Sequence, residues 1–229
     1  MLDHLITHDD NLRMVPTDRN ELTAAIAQLD EELRALPEES DPARARVLTR
    51  WIGIGQMCLG HHGEARALLR QSLDLATAIG NTRAVVATGL NLADAHRYAG
   101  DVQTADALYR SALNTARDRH PELVDFALQH TGKHLMERGD LADARAHLQE
   151  ALRLRIAKED AGLIGSTQAA LDRVGLLIGR PDASTAGGAA PREWSPHPAP
   201  RPPCPGRVHG EGAVRDRLSG ARRALPVGP

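Results

Sequence analysis

Between Asn20 and Gly179, small and apolar residues return at fixed distances from a set of evenly spaced glycines. These are Gly60, Gly100, Gly139 and Gly179, separated by 40, 39 and 40 positions. Five positions after each of the first three stands an alanine (Ala65, Ala105, Ala144), nine after a large residue (Leu69, Tyr109, Leu148), and thirteen after a leucine (Leu73, Leu113, Leu152). Steps of four share one helix face, so each glycine precedes an amphipathic helix. Seven positions before the first three glycines stand Gly53, Ala93 and Gly132, where a small side chain lets two helix backbones approach; Asp172 breaks the rule before Gly179. The same spacing shifted back finds Ala25, Leu29 and Leu33, with Asn20 in the glycine's place, as a degenerate leading repeat. A fixed period of this length marks a solenoid.

The pattern predicts eight helices, over 20–36, 42–59, 62–79, 82–99, 102–118, 121–138, 141–157 and 161–178, with no alternating strand pattern among them. Breakers agree. Asp41-Pro42 supplies a cap followed by proline at the first helical position, Gly80-Asn81 closes one repeat, and His120-Pro121 opens another. The last segment is apolar on more than one side, through Leu163, Ile164, Leu171, Val174, Leu176, Leu177 and Ile178. Terminal repeats need a polar outer face, so self-association as a homodimer through this last helix is expected.

Composition changes the picture at the ends. Ten of the 14 prolines and seven of the 20 glycines lie from Pro181 onward. Too few apolar side chains remain there to offset ordering entropy, so 181–229 is expected to be a disordered Pro/Gly/Arg-rich tail. Residues 1–19 are expected to be a flexible leader to the repeat domain at 20–180. Aromatic residues make up only 2% of the 229, which favours helices over a β-sandwich.

Charge and cysteine exclude several function classes. The net charge of -2 gives no electrostatic basis for nucleic acid or an anionic membrane as partner. The first thirteen residues lack the apolar run of a signal peptide and no stretch reaches the length of a membrane span, so a cytoplasmic protein is expected. Cys58 and Cys204 alone support neither a disulfide framework nor a four-ligand zinc site.

The order small residue, glycine seven later, alanine five later, large residue four later and a small residue (Ser72, Ala112, Ala151) three after that resembles the tetratricopeptide repeat, in its roughly forty-residue variety, over residues 20–179. The usual first-helix aromatic is absent, and Thr77, Arg117 and Ile156 replace the usual proline at the repeat end. The resemblance implies an all-α fold, a right-handed α-solenoid of helix pairs whose first helices line a concave groove. It also implies a scaffold that binds a peptide segment there. Carried over by offset, the groove positions are Arg50, Ile54, Met57 and Cys58; Leu90, Asp94, Arg97 and Tyr98; Phe126, Gln129, Lys133, Met136 and Glu137; and Ser166, Ala169, Arg173 and Leu176. Four cations beside adaptable apolar groups suit a peptide with carboxylates next to apolar anchors. Ile54 stands where the carboxylate clamp of chaperone-binding members needs Asn, which disfavours a chaperone-tail adaptor.

Catalytic chemistry finds less support. His130 and His134 share a helix face at metal-ligand spacing, but no third ligand accompanies them, and helix surface or packing is the simpler role. Thr131-Gly132-Lys133-His134 lacks the upstream glycine of a phosphate loop and lies mid-helix. No nucleophile, base and orienting acid recur at a defensible spacing, so the chain is expected not to be an enzyme and to need no cofactor or metal. The rival expectation is a sensor or oligomerisation module of a bacterial transcription-regulator system. Limited proteolysis is expected to trim the chain after Gly179 first; a stable fragment retaining Trp194 and Arg207 would contradict the tail assignment.

Overall fold

The computed structural model describes residues 1–37 and 41–179. The chain divides into a unit of Met1–Asp182 and a unit of Ala183–Pro229; the second, with the expected disordered tail, lies outside the described residues. Eight helices follow in order: α1 Arg19–Ala35, α2 Pro42–Cys58, α3 His62–Ala78, α4 Thr82–Tyr98, α5 Val102–Arg119, α6 Val124–Arg138, α7 Leu141–Ala157 and α8 Ala161–Ile178. Pro121 opens a short 3-10 turn before α6.

Local chemistry sets the helix ends. Asp18, Asp41, Asn81, Asp101 and Asp160 each accept a main-chain N–H of the first turn, a cap worth about 1 kcal/mol. Gly60, Gly100 and Gly139 take φ of +87°, +79° and +85°, and the residue after each donates back into the last turn. Only glycine adopts that backbone without a Cβ penalty, which explains the forty-residue beat. Gly179 departs from it, with φ of -77°.

Consecutive helices pack against one another throughout, as in a helical solenoid. In addition α2 meets α4, α4 meets α6 and α6 meets α8, so these four form the inner row. The small positions permit the close pairing. A Cβ on Gly53 would come within 2.9 Å of Leu69 Cγ, and one on Gly132 within 2.7 Å of Leu148 Cγ. Both leucines are fully buried. At the far end Val174 is buried, whereas Leu176 is 66% and Ile178 47% exposed. No helix among the described residues is long and apolar enough to cross a membrane.

The N-terminal segment corrects the sequence expectation. Instead of a flexible leader, residues 1–19 hold a 3-10 turn at Asp3–Leu5 and an antiparallel hairpin of β1 Ile6–His8 with β2 Met14–Pro16. An isolated two-stranded hairpin is marginal in water, so its order comes from what it packs on. Leu2 and Leu5 are buried in one core with Leu22, Ile26, Ile54 and Met57. Gly55 makes room: a Cβ there would meet Ile26 Cδ1 at 2.6 Å and Leu2 Cδ1 at 3.2 Å. Leu2→Ala is therefore expected to destabilise the fold by about 2–5 kcal/mol in urea denaturation; an unchanged midpoint would show that the segment is a free leader after all.

Candidate functional site

The inner row carries an unusual amount of buried polar chemistry. On α4, Asp94 is 1% exposed and Arg97 4%. The Tyr109 hydroxyl on α5 donates to Asp94 Oδ1 at 2.6 Å, Arg97 Nη2 lies 3.0 Å from the same oxygen, and His130 Nδ1 on α6 lies 2.7 Å from Oδ2. Burial alone would raise the Asp94 pKa, but His130 and Arg97, with the bonds from His130 and Tyr109, outweigh it and hold the carboxyl well below the usual range. Burial, reinforced by Asp94, raises the Tyr109 phenol well above its ordinary value, so it remains a donor.

The hairpin lies across this face and touches all four inner helices. Its β2 strand packs on α2. The Met14 N–H donates to the Tyr98 hydroxyl oxygen on α4 at 2.6 Å. Arg13 donates to Glu137 on α6 through Nε at 3.0 Å and Nη2 at 2.8 Å, and Glu137 also lies 3.3 Å from Arg97 Nη1. On α8, Arg173 Nη2 reaches Asn11 Oδ1 at 3.4 Å. The hairpin turn is tight: the Asp9 carboxylate accepts from the N–H groups of Asn11 and Arg13, and Leu12 takes φ of +61°. A leucine in that region carries strain. Its side chain packs against the cluster of Met136, Leu148 and Val174, which holds it there.

Two cavities flank Phe126 and His130. The one beneath the hairpin, about 150 Å³, is lined by His8, Leu12 and Met14 on one side and by Asp94, Arg97, Tyr98, Gln129, Lys133, Arg155, Leu163 and Ser166 on the other. Lys133 is 9% exposed; burial, with Arg97 and Arg155 adding to it against Asp94, lowers its pKa to about 8. Partial burial and then Lys133 and His130 lower the His8 pKa, but His8 is exposed by area and water screens that shift. Arg155 is 2% exposed and donates to Asp125, Gln129 and Thr167, while Lys158 also binds Asp125. The second cavity, about 210 Å³, lies along the part of the face bounded by Arg50, Arg83, Ala87, Leu90, Asn91 and Leu123. Arg50 donates to Asn91 at 2.8 Å, and burial with Arg46 nearby lowers its pKa to about 10.

The expected groove residues divide accordingly. Asp94, Arg97, Tyr98, Gln129 and Lys133 come together around the first cavity, and Arg50 and Leu90 around the second. Ile54, Met57 and Met136, expected as open anchors, are instead 3%, 1% and 4% exposed core residues, because the N-terminal segment and α1 cover that end and Leu12 covers Met136. Arg97 is not a solvated charge but the buried link between Asp94 and Glu137. His130 and His134 serve separate carboxylates, Asp94 and Asp106. Burial raises the Cys58 thiol to about 12, which leaves it protonated. Arg155 was missed, although it stands sixteen positions after its glycine where the other repeats have the fully buried Ala76 and Ala116.

No family model matches the chain, and no curated protein matches it. Among solved structures, the crystal structure of BtubC (BKLC) from P. vanneervenii is similar, with a TM-score of 0.51 at 17% identity over 83% of this chain and 82% of that one. That likeness concerns the fold alone.

Lys133 sets a pH signature. Between about pH 8 and 10.5 the unfolded lysine keeps a proton that the folded one has lost, so its contribution favours folding as pH rises through that window. Below about 8 both states are charged and the folded chain bears the full desolvation penalty. Lys133→Met is expected to be more stable than the wild type at pH 7, with the advantage shrinking towards pH 10.5 in urea titrations. A constant difference across that range would contradict the assignment.

Proposed function

We propose that the chain is a protein-interaction module of the tetratricopeptide kind whose inner face recognises an extended peptide, with its own hairpin as the resident occupant. One observation carries this reading. Tyr98 and Glu137, both at groove positions of the repeat, contact an extended segment through its main chain and one side chain, at Met14 N–H and the Arg13 guanidinium. Pairing of an extended segment's backbone with a fixed acceptor, plus pockets for its side chains, is how peptide grooves combine affinity with selectivity.

A partner in trans has the uncovered part of the face, around the second cavity. There Arg50 and Arg83 offer positive charge beside Leu90, Leu123 and Phe126, which suits a peptide with a carboxylate next to an apolar anchor. Exposed charge pairs contribute about 0–1 kcal/mol each, against the roughly 8 kcal/mol of micromolar binding. Apolar anchors, at about 1.5–3 kcal/mol per large buried side chain before association entropy, therefore supply most of the affinity. A longer peptide that also takes the hairpin's place binds with an apparent affinity reduced by the fraction of time the hairpin is away.

Peptides selected from a random display library on the full chain are expected to be acidic with one or two large apolar residues. Arg83→Glu, whose side chain is 65% exposed, should weaken them a few-fold and flatten their salt dependence in fluorescence anisotropy. Leu12→Asp, which unseats the hairpin turn, should tighten the longer peptides. Peptides indifferent to both changes that cross-link only to α3, α5 and α7 would defeat the proposal.

A further inference from the structure

The cavity beneath the hairpin contains one charge that the fold leaves unanswered. Lys133 lines it, is nine-tenths buried, and makes no hydrogen bond or ion pair among the described residues. The carboxylates near it are already committed. Asp94 is held by Tyr109, His130 and Arg97, Glu137 by Arg13 and Arg97, and Asp125 by Arg155 and Lys158. Arg97 and Arg155 line the same cavity, but Asp94, Glu137 and Asp125 answer their charge, so the uncompensated charge is that of Lys133. A buried cation without a partner is disfavoured, so the Lys133 ammonium favours an anion in the cavity.

The remaining walls define what else such an anion carries. Leu12, Met14, Phe126 and Leu163 are apolar, and Gln129 and Ser166 are neutral polar groups beside Arg155. A cavity of about 150 Å³ accommodates a benzene-sized body. We propose that this cavity is a binding site for a small organic acid with an apolar or aromatic body, its carboxylate on Lys133 and its body among Leu12, Phe126 and Leu163. The site shares Leu12, Tyr98 and Phe126 with the peptide proposal, but Arg83 and Leu90 line only the second cavity, so loss of the Arg83→Glu effect on peptides and failure of benzoate binding are separable outcomes. Two walls come from opposite ends of the described chain, so the acid would also tie the hairpin to α6 and α8.

The test is calorimetric titration of the full-length chain with benzoate as probe, with acetate and inorganic phosphate in parallel. Benzoate is expected to bind the wild type more tightly than either, and about tenfold or more weakly to Lys133→Met. Leu163→Trp, which fills the cavity while keeping the ammonium, should also abolish binding. In NMR titrations, benzoate should move the titration of the Lys133 Cε signal to higher pH, a response that a purely structural lysine would not give. Failure of about 10 mM benzoate, well above a millimolar Kd, to produce heat or move that signal would overturn the proposal. Equal binding of phosphate, or unchanged binding in both variants, would overturn it as well.

Discussion

The Asp94 carboxylate is the interaction on which the inner face depends. It joins α4 to α5 through Tyr109 and α4 to α6 through His130, and it positions Arg97, whose other side meets Glu137. Glu137 in turn holds Arg13, so a chain of charge runs from the middle of the solenoid to the hairpin. Removing one partner of such a buried set typically costs about 3–5 kcal/mol, because the others are left charged and unanswered. Asp94 occupies the register of Ile54, Lys133 and Arg173 in the neighbouring repeats. The repeat frame therefore supplies the place, and the aspartate that fills it in this repeat, where its neighbours carry Ile, Lys and Arg, organises the polar site.

Much of the architecture was legible because its cause is local. A left-handed glycine every forty residues, an Asp or Asn cap and a small residue at the helix crossing leave marks in the sequence that do not depend on distant partners. The hairpin left no such mark. Strands of three residues are too short for alternation to register, and their order comes from Leu2, Leu5 and Leu12 docking on helices far along the chain. The same gap explains why Ile54 and Met57 read as groove anchors: offset rules assume an open face, and nothing in the repeat announces that α1 and the N-terminal segment cover that end. Arg155 was readable in principle, as a charged residue in an alanine register, and its cluster with Asp125, Gln129 and Thr167 stiffens the α6–α7–α8 end.

The face is consequently divided into a covered part, where the chain's own extended segment sits over a cationic cavity, and an uncovered part around Leu90 and Phe126. Both parts share Phe126 and His130, and His130 is bonded to Asp94. Leu12 carries backbone strain at the hairpin turn, which is held by its packing on the Met136, Leu148 and Val174 cluster.

Hydrogen exchange at the Met14 amide tests the central claim most directly, because that N–H has the Tyr98 hydroxyl oxygen as its acceptor. The docked hairpin predicts an amide protected well beyond the rate of an unstructured chain, with protection lost in Tyr98→Phe while the amides of α4 and α6 stay protected. Exchange of Met14 at the unstructured rate in the wild type, or protection that Tyr98→Phe leaves untouched, would contradict it.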